Sequence, residues 1–225
     1  MMNPYDSPAD LPSVLPVFPL RGAILLPRAS LTLNIFEPRY LALIDYALAH
    51  ERLIGVVQPG KETGSAESPQ GKSFRLRTIG CLGRVTSFNE SDDGPVVITL
   101  TGITRFAVGD EVDTDAAFRL FAVDFRSFAD DFIHDLGEED VDRVRLLATL
   151  RRYLEANGLH ADWDRINEAA NEQLVNTLSI LSPYGPEEKQ ALLESGSLKE
   201  RAEALVALAE MELAARDDSS GTSLQ

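Results

Sequence analysis

Polar and apolar residues alternate strictly from Leu31 to Ile35, with Leu31, Leu33 and Ile35 set against Thr32 and Asn34. That period of two marks a strand with one buried and one wetter face. Before it, Leu15-Pro16-Val17-Phe18-Pro19-Leu20 and Ile24-Leu25-Leu26-Pro27 are apolar runs cut by prolines, which fix φ and remove a donor, so they predict short extended pieces with stiff corners. After Phe36 the period changes. Pro38 suits the first turn of a helix, and Glu37 suits its positive end. Tyr40, Ile44 and Leu48, widened by Leu41 and Ala47, predict an amphipathic helix. Leu53–Val57 reads as a buried strand stopped at Gln58-Pro59-Gly60, and residues 61–72 as a long loop. Strands are predicted over 79–88 and 95–103, joined by the turn residues 89–94, with 106–108 extending the second past a bend at Gly102. A last strand is predicted over 117–125.

Beyond Phe128 the pattern turns helical. Val141, Val144, Leu147, Ala148, Leu150 and Leu154 predict one helix ending at Asn157-Gly158. Ile166, Ala170, Leu174 and Leu178 recur every four residues and predict a second helix, stopped before Pro183. Gly185-Pro186-Glu187-Glu188 opens a short third. Ser197 and Glu200 form a capping box for the fourth, whose stripe is Leu198, Ala202, Leu205, Ala209 and Leu213. Four segments follow from this reading: a flexible N-terminus (1–13), a β-rich lobe (14–126), a helical bundle (127–215) and a flexible tail (216–225).

A length of 225 residues allows a sizeable core, and 44% hydrophobic with 25% charged residues is ordinary for a globular protein. The net charge of −15, with most of the excess beyond Arg126, disfavours phosphate backbones and anionic lipid. A nucleic-acid surface would have to run through Arg21, Arg28, Arg39 and Arg84. The lone Cys81 excludes an internal disulfide and reads as a small buried hydrophobe. No basic, apolar leader and no stretch near ~18 apolar residues is present, so no membrane association and a cytoplasmic location are expected. Catalytic chemistry is sparse. Ala66–Ser73 ends like a phosphate-binding loop in Gly71-Lys72-Ser73, but Ala66 replaces the first glycine and residues 74–77 alternate where a helix must begin. Ser195 or Ser197 with Lys199 lacks the surroundings of a nucleophile. His50, His134 and His160 are too scattered for a metal. The acid pairs Asp92-Asp93, Asp130-Asp131 and Glu138-Glu139 fall in turns and helix starts. No catalytic residue, cofactor or metal is therefore expected.

Phe18-Pro19-Leu20, Leu26-Pro27, Asn34-Ile35-Phe36-Glu37-Pro38-Arg39-Tyr40 and Arg52-Leu53-Ile54-Gly55-Val56-Val57 together resemble the N-terminal substrate-binding domain of the ATP-dependent protease Lon. Ile79–Val85 and Leu100-Thr101-Gly102-Ile103-Thr104-Arg105-Phe106 continue the likeness. The resemblance implies an α+β fold: a PUA-like lobe, that is, a twisted, partly closed barrel of mostly antiparallel strands with one helix, followed by a C-terminal helical bundle. It also implies a non-enzymatic recognition or adaptor module standing alone, without the ATPase and protease parts, that binds unfolded or hydrophobic protein segments. Such binding needs apolar side chains beside free backbone groups on a strand edge. Leu25, Leu26, Phe36 and Tyr40 are the candidate polypeptide-binding residues. A Lon-type protease in trans and a second copy of the chain are further partners this reading leaves open. The alternative is RNA or other nucleic-acid binding through the PUA-like lobe.

Overall fold

The computed structural model describes residues 5–60, 67–68, 71–72, 75–90 and 96–221. The chain forms two compact units, Met1–His134 with Tyr184–Leu193, and Asp135–Pro183 with Glu194–Gln225. The class is the expected α+β.

The first unit is built on a six-stranded sheet of β1 (Val14–Pro19), β2 (Ser30–Ile35), β3 (Leu53–Val57), β6 (Ile79–Asn89), β7 (Val96–Val112) and β8 (Arg119–Asp124). The two-residue strands β4 (Glu67–Ser68) and β5 (Gly71–Lys72) pair separately. The order is β2-β7-β6-β3-β1-β8, and β7 also pairs with β8, so five strands close a ring and β2 lies outside it. Among the described strands only β1 and β3 pair in parallel. The 17-residue β7 makes closure possible. Its first part pairs with β2, and Ala107 onward pairs with β8.

Inside the ring Leu15, Val17, Leu53, Val57, Leu82, Ile103, Phe106, Phe121 and Phe125 form one apolar cluster. Phe106 is its centre. An added Cβ on Gly55 or Gly80 would lie 2.8 or 2.9 Å from Phe106 Cζ, so both strands bring bare backbone against the ring. The alternate side chains Ile54, Val56 and Phe18 are buried as well, as is the face of helix α1 (Pro38–Ala49) carrying Leu43, Ile44 and Ala47.

Two polar arrangements fasten this unit. Arg105 and Asp131 are each 7% exposed. Arg105 Nη2 donates to Asp131 Oδ1 at 2.7 Å, Arg105 Nε to Oδ2 at 3.0 Å, and the Arg105 backbone N–H to Oδ2 at 2.8 Å. Arg105 Nη1 also donates to the Leu193 carbonyl, on helix α5 (Pro186–Glu194; helices α2 to α4 and α6 are given below). The second arrangement is an amide pair. Gln58 Nε2 donates to the Pro186 carbonyl at 2.9 Å and to Gln190 Oε1 at 3.1 Å, while Gln190 Nε2 donates to the Ile79 carbonyl at 3.1 Å. These bonds explain why residues 184–193, remote in sequence, belong with the strands.

The second unit holds α2 (Arg143–Ala156), α3 (Trp163–Glu168), α4 (Asn171–Leu181) and α6 (Leu198–Gly221). The stripe read on α6 is buried throughout, from Leu198 at 7% to Leu213 at 8%. On α2 the buried face is Leu146, Thr149 and Tyr153 instead of the Val144 and Ala148 side, and Val144 is 81% exposed. The single helix expected through Ile166 and Leu178 is two, because Ala169 and Ala170 are extended. The Glu138 carboxylate accepts from the N–H groups of Asn171 and Glu172 at 2.9 and 2.6 Å, capping α4, and Arg143 Nη2 donates to the carbonyls of Ile166 and Asn167 at 2.8 and 2.9 Å. Partners from elsewhere in the chain thus satisfy the groups that a break exposes. Ser197 Oγ accepts from Glu200 N–H as expected, but Glu200 Oε2 reaches the Gly196 N–H in place of the cap's own.

Unfolding measurements test the buried charges of this unit. Asp131→Ala leaves the Arg105 guanidinium buried without its anion and is expected to lower the unfolding free energy by about 3–5 kcal/mol in a denaturant titration. Arg105→Met combined with Asp131→Leu is expected to cost clearly less than the two single changes added. Lys189, 2% exposed on α5, has its ammonium pushed down to about 8 from 10.5 by burial. Below pH 8 both states hold the proton and burial of the charge is a constant cost. Between about 8 and 10.5 only the unfolded chain holds it, so stability rises with pH. The rise should be on the order of 1–3 kcal/mol relative to Lys189→Met, whose pH titration of unfolding free energy lacks this component.

Candidate functional site

The corner between β2 and α1 brings together exposed apolar and balanced polar groups. Ile35 ends β2 buried, and the next residue, Phe36, is 73% exposed. Glu37 is the N-cap and Pro38 opens α1. The Glu37 carboxylate makes no cap bond and instead accepts from Arg39 Nε and Nη2 at 3.0 and 2.7 Å. The Arg39 guanidinium sits 4.6 Å over the Tyr40 ring. That ring packs at 4.3 Å on buried Phe18 of β1. Tyr40 is therefore clamped between a core aromatic and a neutralised cation. Burial raises its hydroxyl above the ordinary tyrosine range, with Arg39 opposing. At both side chains about two-fifths exposed, the Glu37–Arg39 pair adds at most about 1 kcal/mol. Its effect is to leave the rim of the corner without net charge.

Of the four candidate residues, Phe36 and Tyr40 meet the surface at this corner. Leu25 and Leu26, expected beside them, are wholly buried. An added Cβ on Gly83 would come 2.6 Å from Leu25 Cδ2, so Leu25 fills the space over bare sheet backbone. Of the four arginines of the nucleic-acid reading, Arg39 is paired as described and Arg28 Nη1 donates to the Asp131 carbonyl. Cys81 is fully buried, and His50 Nδ1 lies 2.7 Å from the Tyr46 carbonyl with its ring stacked on Tyr46. Among the described residues no three His, Cys, Asp or Glu side chains gather as a metal site, and no helix is long and apolar enough to cross a membrane. Of Ala66–Ser73, only the paired residues of β4 and β5 are described; the rest lies outside the described residues.

The model of the ATP-dependent protease La (LON) substrate-binding domain matches residues 14–210. The chain belongs to the Lon substrate-binding domain family. It is similar to the Lon protease of Anaeromyxobacter dehalogenans, 28% identical over 197 residues that span 85% of this chain and 22% of that protein. The Lon protease of Parabacteroides distasonis is 29% identical over 197 residues, 84% of this chain and 22% of its own length. This chain thus spans about a fifth of those relatives. Among solved structures, the N-terminal domain of Mycobacterium avium complex Lon protease matches with TM-score 0.62 at 16% identity, covering 88% of this chain and 98% of that one. The Lon N-terminal domain protein from Xanthomonas campestris matches with TM-score 0.57 at 22% identity, covering 86% and 97%. These two likenesses establish the fold, and the family makes this a substrate-recognition domain, distinct from the catalytic part of a Lon protease.

The Lon-like blocks now have physical roles. In Leu100–Phe106, Phe106 is the centre of the ring, Arg105 is the buried cation, and Gly102 receives the chain arriving from Leu26. Gly102 accepts from Arg28 N–H and donates to the Ala29 carbonyl, both at 2.9 Å. Arg28 has φ +62°, so Arg28 and Ala29 together oppose one residue of β7 in a bulge that launches β2. An added Cβ at Gly102 would stand 2.0 Å from the Leu26 carbonyl oxygen. Gly102→Ala must push the two backbones apart and is expected to cost about 1–3 kcal/mol in thermal or denaturant unfolding.

Proposed function

We propose that this Lon substrate-binding domain recognises unfolded or apolar polypeptide segments without making or breaking bonds, using the β2–α1 corner as its contact surface. The observation that carries the reading is Phe36, 73% exposed immediately after a buried strand end. A large aromatic gains more by burial against a partner than by standing in water, and aromatic residues dominate the energetics of docking surfaces. Tyr40, four residues on, adds to it. Held by Phe18 and Arg39, its ring has little freedom left to lose on binding. The role assigned to the chain is capture, with delivery to a Lon-type protease as the biological consequence.

The test is titration of a reduced, alkylated, unfolded polypeptide by fluorescence anisotropy. Phe36→Asp is expected to weaken binding by about tenfold or more. Its unfolding free energy should stay within about 0.5 kcal/mol of the parent, because the ring is 73% exposed. Unchanged affinity in Phe36→Asp would remove the corner as the contact surface.

A further inference from the structure

The sheet of the first unit is closed everywhere but along one side. β1, β3, β6, β7 and β8 each have a neighbour on both sides once β7 joins β8, while among the described residues β2 pairs with β7 alone. Natural edge strands usually carry a lysine, a proline, an inward charge or a bulge that prevents a further strand from adding. Ser30-Leu31-Thr32-Leu33-Asn34-Ile35 carries none of these along its length. The bulge at Arg28 and Ala29 precedes it, and Pro38 follows it.

The register says which groups face the open side. Ala29 accepts from Gly102 N–H, and the pairing then runs in step from Ser30 opposite Thr101 to Ile35 opposite Val96. In an antiparallel ladder, residues bonded to the neighbour alternate with residues whose backbone groups turn away from it. Leu31, Leu33 and Ile35 share the phase of Ala29 and bond to β7. Ser30, Thr32 and Asn34 turn their N–H and C=O groups to the open side, and all three residues are exposed. Leu31 and Leu33 are half-buried on the opposite face. The strand leads directly into Phe36.

We infer that an extended segment of a client polypeptide adds as a further strand along Ser30–Ile35, uncharged, with apolar side chains at alternate positions, and that its end rests on Phe36. The inference deepens the recognition reading above and rests on it. Two observations select a client over other occupants. The edge is continuous with the exposed aromatic corner, and it is a six-residue stretch without charge in a chain of net charge −15. An edge of that length spans about 20 Å, matching a short apolar stretch of an unfolded chain. Backbone bonds would give affinity with little dependence on client sequence, and the alternation would set the preference.

The experiment uses the whole chain and a ten-residue peptide of alternating valine and threonine, made also in two forms N-methylated at one or the other alternate set of amides. The unmodified peptide and one methylated form are expected to bind alike, and the other form to lose about tenfold or more, because only one set of amides faces β2. Thr32→Pro removes an outward-facing N–H while leaving the bonds to β7, so it should weaken peptide binding by about tenfold, with Thr32→Ala near the parent. If Thr32→Pro does not fold, Thr32→Lys and the methylated pair carry the test. Equal binding, or equal loss, of the two methylated forms overturns the inference. Parent-like binding by Thr32→Pro alongside weakened binding by Phe36→Asp overturns strand addition and leaves recognition at the corner standing. No binding of any peptide or unfolded polypeptide by the parent chain removes both. A concentration-dependent dimer abolished by Thr32→Pro, with peptide affinity unmoved, assigns the edge to a second copy and likewise overturns the inference.

Discussion

The buried pair of Arg105 and Asp131 is the constraint on which the first unit depends. Removing two charges from water costs several kcal/mol per ion, and the interior returns that only when every donor and acceptor is met in good geometry. Here the requirement is met from three parts of the chain. Arg105 lies in β7, Asp131 at the end of the irregular helical turns that follow β8, and the Leu193 carbonyl on α5 takes a further guanidinium donor. The carboxylate also receives the Arg105 backbone N–H, and the guanidinium lies 5.0 Å over the Phe128 ring. A one-residue slip of β7 would turn Arg105 to the opposite face and strand both charges. The pair therefore specifies register more than it adds stability, and register is what a closing ring needs.

Closure in turn decides where anything can bind. A ring of five strands exposes no backbone, so the open side of β2 is a consequence of β7 being long enough to serve β2 first and β8 afterwards. The bulge at Arg28 and Ala29, admitted by the missing side chain of Gly102, sets β2 down on that first part of β7. From there the chain can only leave through Phe36 into α1, whose Tyr40 packs back on β1. Core, edge and aromatic corner are thus three outcomes of one path.

Much of this path is legible in the sequence. The alternation of Leu31–Ile35, the helix opened by Pro38 and the stop after Val57 depend on neighbours in the chain, and local periodicity reports neighbours. The Lon-like blocks are legible by a different route, their residue-by-residue likeness to a known family. What the sequence hid depends on distance. Asp131 reads as one acid among turn-forming acids, and only Arg105, 26 residues away, distinguishes it. Gln58 and Gln190 look like surface amides until each is seen bonded to the other. The break between α3 and α4 falls inside an unbroken four-residue recurrence, because Glu138 and Arg143 hold it from outside. Leu25 and Leu26 show the limit at the candidate site itself. An apolar pair beside a proline corner looks the same in sequence whether it faces solvent or fills space above Gly83 and Gly102.

The charge distribution bears on how such a surface can stay soluble. A net charge of −15 opposes association of copies, yet an acidic surface beside the proposed contact would also repel acidic stretches of a client. At the corner the conflict is resolved locally: Glu37 is matched by Arg39, and from Ser30 to Phe36 no charge occurs. For the client proposed above, attraction there would come from apolar burial and backbone bonding, both of which depend little on client sequence. One exposed aromatic and one short edge would then give modest affinity, since binding must first offset the ordering of a flexible segment. On the recognition reading proposed above, modest affinity would suit the sampling of chains for exposed apolar segments, and tight binding at the same corner would defeat it by holding each client in place.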